Sequence, residues 1–290
     1  MEDNLRDKSN IEWFSQAPGF YEEVYDSSLS VGYFLNQRVA KVKQLLDASG
    51  GNLLDVGCGI GMLFRRLAPE NFQFFGIDIS PRMLAYCKNG AGTVKPLYLA
   101  QSNLEHLPFT NESFDVVVGL GVLEYLPQVR VGIEEIARVT KPDGTVILSM
   151  HNKWSPYRWW ERCIYSKAME IASKLTSVRH RPQPTLRLHP ARAIAQLMVN
   201  SGLKPVEIIY YDFNVFPPPL DQHYPRRALL VNTRLERLFG QSLSRLFATG
   251  FLVKARKVLP NTHIVALNGR KSVIARKRRD RVRTPALKAD

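Results

Sequence analysis

Cysteine is scarce and scattered, with Cys58, Cys87 and Cys163 the complete set in 290 residues. An odd, widely spaced trio builds neither a disulfide framework nor a metal-ligand pattern, so a reducing, cytoplasmic setting and no metal are expected. Long apolar runs are missing too. None approaches the roughly 20 residues that a bilayer-spanning helix needs. The opening MEDNLRDKSN is polar and acidic, unlike a secretory signal or a transit peptide. Acidic residues are sparse in the second half. Residues 151–290 carry 27 Lys/Arg against 8 Asp/Glu, whereas residues 1–150 carry 13 against 18. The first half therefore has the balance of an ordinary soluble domain. The second half is suited to an anionic partner: a phospholipid surface, a phosphate-bearing substrate or nucleic acid.

With 45% hydrophobic residues the chain can bury one substantial core. Its most informative stretch is LLDVGCGIG, Leu53 to Gly61. An apolar run ends in Asp55, glycines alternate at 57, 59 and 61, and an amphipathic helix begins at Met62. This is a strand, a tight turn and a helix start. Glycines serve where the backbone takes positive φ or lies against a ligand. A dinucleotide fingerprint needs its last glycine or alanine where Met62 stands, which argues against a pyrophosphate site. A turn without chemical purpose is the plain alternative.

Three further stretches add to it. FFGIDIS, Phe74 to Ser80, reads as a buried strand ending at Asp78, followed by a helix with Ser80 as cap and Pro81 at its first position. A carboxylate at that strand tip can accept both hydroxyls of a ribose; a solvent-exposed acid is the alternative. NLEHLPFTNESFDVVVGLGVLEYL spans Asn103 to Leu126, and KPDGTVILSMHN spans Lys141 to Asn152. The latter is a turn before a strand.

The D-x-G-x-G-x-G spacing resembles motif I of class I S-adenosylmethionine (SAM) methyltransferases. LPF followed by SFD and a strand is similar to the subgroup typified by ubiquinone and menaquinone methylation enzymes. The four stretches cover about residues 50–152 in that family's order. The resemblance implies SAM as cofactor and a cofactor set of Asp55, Gly57, Cys58, Gly59, Gly61, Asp78, Ile79, Met83, Asn103, Leu104 and Gly119. Asn103 stands where the subgroup has an Asp for the adenine amine; it keeps an acceptor and loses the charge. Glu124-Tyr125 stands where the subgroup often has a His pair, which leaves the general base open. His151 at the end of the fifth strand, then Tyr125 and Glu124, are the catalytic candidates, with His189 and His223 on insertions behind them.

Strands are expected near residues 52–56, 72–77, 96–99, 114–119 and 144–150, with two more at 205–213 and 250–256. The alternation with helices predicts a seven-stranded, mostly parallel Rossmann-like sheet, helices on both faces, an antiparallel last strand and helical lid insertions. The domain reading is an N-terminal helical cap over 1–50 and a SAM-dependent methyltransferase domain over 51–258. Acceptor-side insertions occupy 153–189 and 214–249, and a basic tail, expected to be disordered, follows at 259–290. A helix is expected from Val31 to Leu46, with Tyr21 or Tyr25 ahead of it either over the ligand or packing that helix onto the sheet. The first insertion interleaves Trp154, Tyr157, Trp159 and Trp160 with Lys153, Arg158 and Arg162. It reads as a lid, as a lid touching a membrane, or as a nucleic-acid contact. The expected function is methyl transfer to a small-molecule or lipid-linked acceptor, at oxygen, in the cytoplasm and peripheral to the inner face of the membrane. RNA methylation and a non-catalytic SAM-binding module are the alternatives. Against the first, no Asp/Asn-Pro-Pro-aromatic motif follows the fourth strand.

Overall fold

Strand β1 (Gly50–Val56) sits at the centre of a seven-stranded sheet, flanked by β2 (Asn71–Asp78) and β4 (Phe114–Leu120). The strand order is β3-β2-β1-β4-β5-β7-β6, with β3 at Leu97–Gln101, β5 at Thr140–His151, β6 at Leu203–Tyr211 and β7 at Gly250–Lys257. This computed structural model describes residues 12–15, 18–26, 30–47, 50–92, 94–175, 186–216, 220–238 and 241–258. The expectations for the basic tail, and for parts of the two Pro-rich stretches (176–185 and 217–219), fall outside the described residues.

The first five strands pair in parallel, and β7 runs antiparallel to both β5 and β6. The seven-stranded mixed sheet is thus as the strand pattern predicts. The final β6–β7 pair is antiparallel in register from Leu203↔Lys257 to Tyr211↔Gly250, with the helices of the second insertion between the two strands. Strand β5 starts earlier than expected, because the Lys-Pro-Asp-Gly turn is drawn into it, with Asp143 at φ 59°.

Period-two alternation divides the strand side chains between two cores. Leu54, Val117, Val146, Leu148, Phe251 and Val253 face α5 (Val129–Val139) and α8 (Ala191–Asn200). Leu53, Val116, Val118, Ile147 and Leu252 face α2 (Ser30–Leu45), α3 (Met62–Leu67) and α4 (Pro81–Gly90). Helix α2 belongs to that face because Phe34, Leu35, Val39, Val42 and Leu45 recur at helical spacing and are all buried. Each such side chain contributes roughly 1.5–3 kcal/mol by burial. Helix α1 (Pro18–Asp26) and a helical turn at 12–15 lie ahead of it. The strand order reverses direction between β1 and β4, and the crevice at a reversal, beyond the carboxyl ends of the strands, is where ligands bind in such sheets.

Candidate functional site

A cavity of about 440 Å³ opens at that crevice. Its walls come from the turn after β1, the tips of β2 and β5, the segment after β3, the turn after β4, and α1 and α2.

The glycine turn is pinned to β2. The N–H groups of Gly57 and Cys58 donate to the Ile77 carbonyl at 2.8 and 2.9 Å. Gly57, Gly59 and Gly61 take φ values of 73°, 53° and 77°, which favour glycine. A Cβ on Gly59 would meet no atom within 4 Å, so this backbone lies open to the cavity. Gly57 and Cys58 line the wall beside it. Gly61 does not. It caps α3, and a Cβ there would strike the Cys87 thiol, so its role is the turn itself.

Asp78 is held by two backbone amides. Gly59 N–H donates to Oδ2 and Ser80 N–H to Oδ1, each at 2.9 Å. Each carboxylate oxygen keeps a second lone pair for a ligand. Burial raises the Asp78 pKa, opposed by those same amides. Ser80 caps α4 through Met83 N–H and Pro81 opens the helix, as the sequence predicts. Asp55, at the tip of β1, is buried, and its Oδ1 has no partner among the described residues. Burial pushes its pKa up to about 8, helped by Asp78 and opposed by Arg38. An orphaned buried acceptor beside an open glycine backbone fits a cationic ligand.

Ile79, Met83, Asn103 and Leu104 all line the cavity. The Asn103 carbonyl accepts from Glu105 N–H at 3.1 Å, so only its second lone pair is free for an adenine amine. Gly119 differs from expectation. It lies within β4, where a Cβ would meet Val56 and Leu148, and it is a packing position. Gly121, two residues on, is the glycine on the cavity wall.

The other end of the cavity holds His151 and Tyr125. His151 is recessed, with its ring stacked on Phe34 at 5.4 Å and 8° between planes. Its Nδ1 lies 2.8 Å from Glu124 Oε1, although not aligned as a straight hydrogen bond. Glu124 itself is fully buried behind the histidine and does not line the cavity. Burial lowers the His151 pKa, as does Arg158, while Glu124 opposes. The histidine is therefore neutral near pH 7. With Nδ1 turned toward Glu124, Nε2 is the ring nitrogen left to act as a base. Tyr125 is held protonated by burial and meets Phe14 edge to face at 5.1 Å. Tyr21 and Tyr25 both line the cavity. His189 and His223 do not.

Two arginines also line the cavity, the buried Arg38 and the half-buried Arg158. Arg38 lies on α2, its Nη2 3.5 Å from the Tyr25 hydroxyl, and its Nε has no partner among the described residues. It does carry a readable signal: it falls on the apolar stripe between Leu35 and Val39. Arg158 pairs with Glu161 at 2.7 Å and sits 5.4 Å from the Phe34 ring centre. Among the described residues, no group of three or more His, Cys, Asp or Glu could hold a metal ion.

Comparison with known proteins agrees with this geometry. A family model described as a methyltransferase domain matches residues 54–148. The chain is 26% identical over 221 residues to the demethylmenaquinone methyltransferase of Lactobacillus johnsonii, covering 72% of this chain and 90% of that protein. It is 33% identical to the ubiquinone biosynthesis O-methyltransferase of Sodalis glossinidius, covering 41% of this chain and 50% of that one. The chain spans about half the length of most curated relatives it matches. A SAM-dependent methyltransferase structure from Mesorhizobium loti shares the fold, with TM-score 0.52, 17% identity, and 75% and 96% of the two chains covered. Sheet order, the open glycine turn beside the buried Asp55 and the half-buried Asp78, and the matched stretch converge: over residues 54–148 the chain carries a class I SAM-dependent methyltransferase domain.

Proposed function

We propose that this enzyme methylates an oxygen of a small-molecule or lipid-linked acceptor, with His151 as general base. The observation that carries the reading is the neutral, recessed His151, backed by Glu124, in the same cavity as Asp55 and Asp78. SAM, when bound, supplies an electrophilic methyl on a sulfonium. The carboxylate of Asp78 would hold the ribose and the Gly57–Gly59 backbone the methionine end. Asp55 suits the ammonium, and Arg38 suits the carboxylate of the same amino acid.

The chain's contribution is alignment and water exclusion. Holding an acceptor in line with the methyl can supply on the order of 7–11 kcal/mol. Phe34, Tyr125 and Tyr157 give the reacting end an apolar wall. His151 Nε2 would take the hydroxyl proton as the oxygen–methyl bond forms, and Glu124 would steady the resulting imidazolium. The names of the two curated relatives, one acting on demethylmenaquinone and one an O-methyltransferase of ubiquinone biosynthesis, favour a quinone-like ring as acceptor.

The test is tritiated-methyl transfer from SAM into cell extract separated into lipid, glycan, protein and nucleic-acid pools. Label in the lipid pool, base-stable as an ether, is expected and should fall sharply with His151→Ala. Label confined to RNA would replace the acceptor assignment.

A further inference from the structure

Residues 153–175 form a helical arm made of α6 (Pro156–Trp160), a π turn (Glu161–Tyr165) and α7 (Ser166–Leu175). Its inner side belongs to the cavity: Arg158, Glu161, Arg162 and Ser166 are on the wall. Its outer side carries large exposed apolar side chains. Helix α7 buries none of its residues. Trp159, Ile164, Ile171 and Leu175 are 60%, 38%, 59% and 80% exposed. They are spaced by five, seven and four residues. The five-residue step crosses the π turn, whose hydrogen bonds span i→i+5, so all four fall on one stripe. Trp154, just ahead of α6, is 61% exposed.

Such a stripe of large apolar side chains marks an interaction surface. Its charge says which kind. The arm carries five Lys/Arg against two Glu, and Lys153, Lys167 and Lys174, none of them on the cavity wall, are all exposed. The helix Gln241–Phe247, packed on α6, adds exposed Arg245 and Leu246. Indoles at one end, an aliphatic stripe along the helix and cations beside it match a headgroup layer over acyl chains.

We propose that the outer face of this arm seats on an anionic phospholipid bilayer, placing the cavity wall formed by its inner face beside the membrane. The proposal goes beyond the acceptor assignment and stands without it.

The test uses the full chain with vesicles of phosphatidylcholine, alone or mixed with phosphatidylglycerol. Cosedimentation with the mixed vesicles at low salt is expected, weakening as salt rises. Tryptophan emission should shift to the blue and be quenched by brominated lipid. Trp159→Ser combined with Ile171→Glu should lower partitioning at least about tenfold, and Trp154→Ser combined with Leu175→Ser should do the same independently. SAM titration of these variants should match the parent, which separates this surface from the methyl-transfer reading. Three results would overturn the proposal: recovery in the supernatant with anionic vesicles, partitioning of both double variants equal to the parent, or tight RNA binding with no vesicle binding.

Discussion

His151 Nδ1 lies 2.8 Å from Glu124 Oε1, joining the end of β5 to the 3₁₀ turn after β4 inside the protein. Because burial and Arg158 lower the His151 pKa, the neutral, basic form persists below the ordinary value near 6.5. His151→Ala should reduce kcat by about 10²- to 10⁴-fold with SAM affinity unchanged. The acid limb of the kcat–pH profile should fall below 6.5. A limb at or above 6.5 in the parent, or activity retained in the alanine variant, would remove His151 as base.

The same histidine links pH to stability. Its folded pKa is lower than its unfolded one, so the unfolded chain binds more protons between the two. Its contribution is complete above about 6.5 and is lost as pH falls through that window. Urea unfolding of the parent and of His151→Gln from pH 7 downward should show the parent losing stability faster. Parallel curves would contradict the burial argument.

Asp55 gives SAM binding a proton signature. With a pKa of about 8 it is largely protonated at pH 7 in the free protein. A cation beside Oδ1 favours the carboxylate, so binding should release close to one proton (~1) at pH 7. Calorimetry in buffers of different ionisation enthalpy reads this directly. Asp55→Asn should abolish the buffer dependence and weaken binding.

Arg38 and Asp78 should both weaken SAM when removed, by different routes. Arg38→Met deletes a charge-assisted contact of about 1.5–3 kcal/mol, or roughly 10- to 150-fold in Kd. Arg38→Lys should not restore it, because an ammonium lacks the planar fork. Asp78→Ala also frees the Gly59 and Ser80 amides, so it should lose affinity and loosen the turn. Calorimetric titration with unchanged affinity in either variant would break its assignment.

Gly119 and Gly121 separate packing from site. Gly119→Ala would press a methyl onto Val56 at 2.9 Å and Leu148 at 3.1 Å. It should destabilise by about 1–3 kcal/mol in urea while leaving SAM affinity intact. Gly121→Ala would strain a φ of 70° and collide with Arg38, so it should lose both stability and SAM binding. Equal effects on SAM from the two variants would undo the distinction.

Much of the sheet was legible because its signals are short in range. Alternating side chains mark each strand, and Ser80-Pro81 marks the start of α4 wherever the chain runs. The glycine turn was equally readable, since positive φ is a property of single residues. Gly119 and Gly121 were not separable by such signals. Which glycine near a strand end faces ligand depends on the pleat and on what packs behind it. Glu124 is a candidate because Glu124-Tyr125 stands where the resembling subgroup often has a His pair, and only the fold shows it buried behind His151 and off the cavity wall.

From sequence alone came the order of strands and helices, the motif turn after β1 and the acid at the tip of β2, because each is written within a few adjacent residues. Tertiary structure alone decided that Arg38, His151 and Arg158 meet around Phe34, with Glu124 beside the histidine. These residues come from α2, the turn after β4, the end of β5 and α6. Their meeting depends on how helices cover a twisted sheet, and no local pattern encodes that.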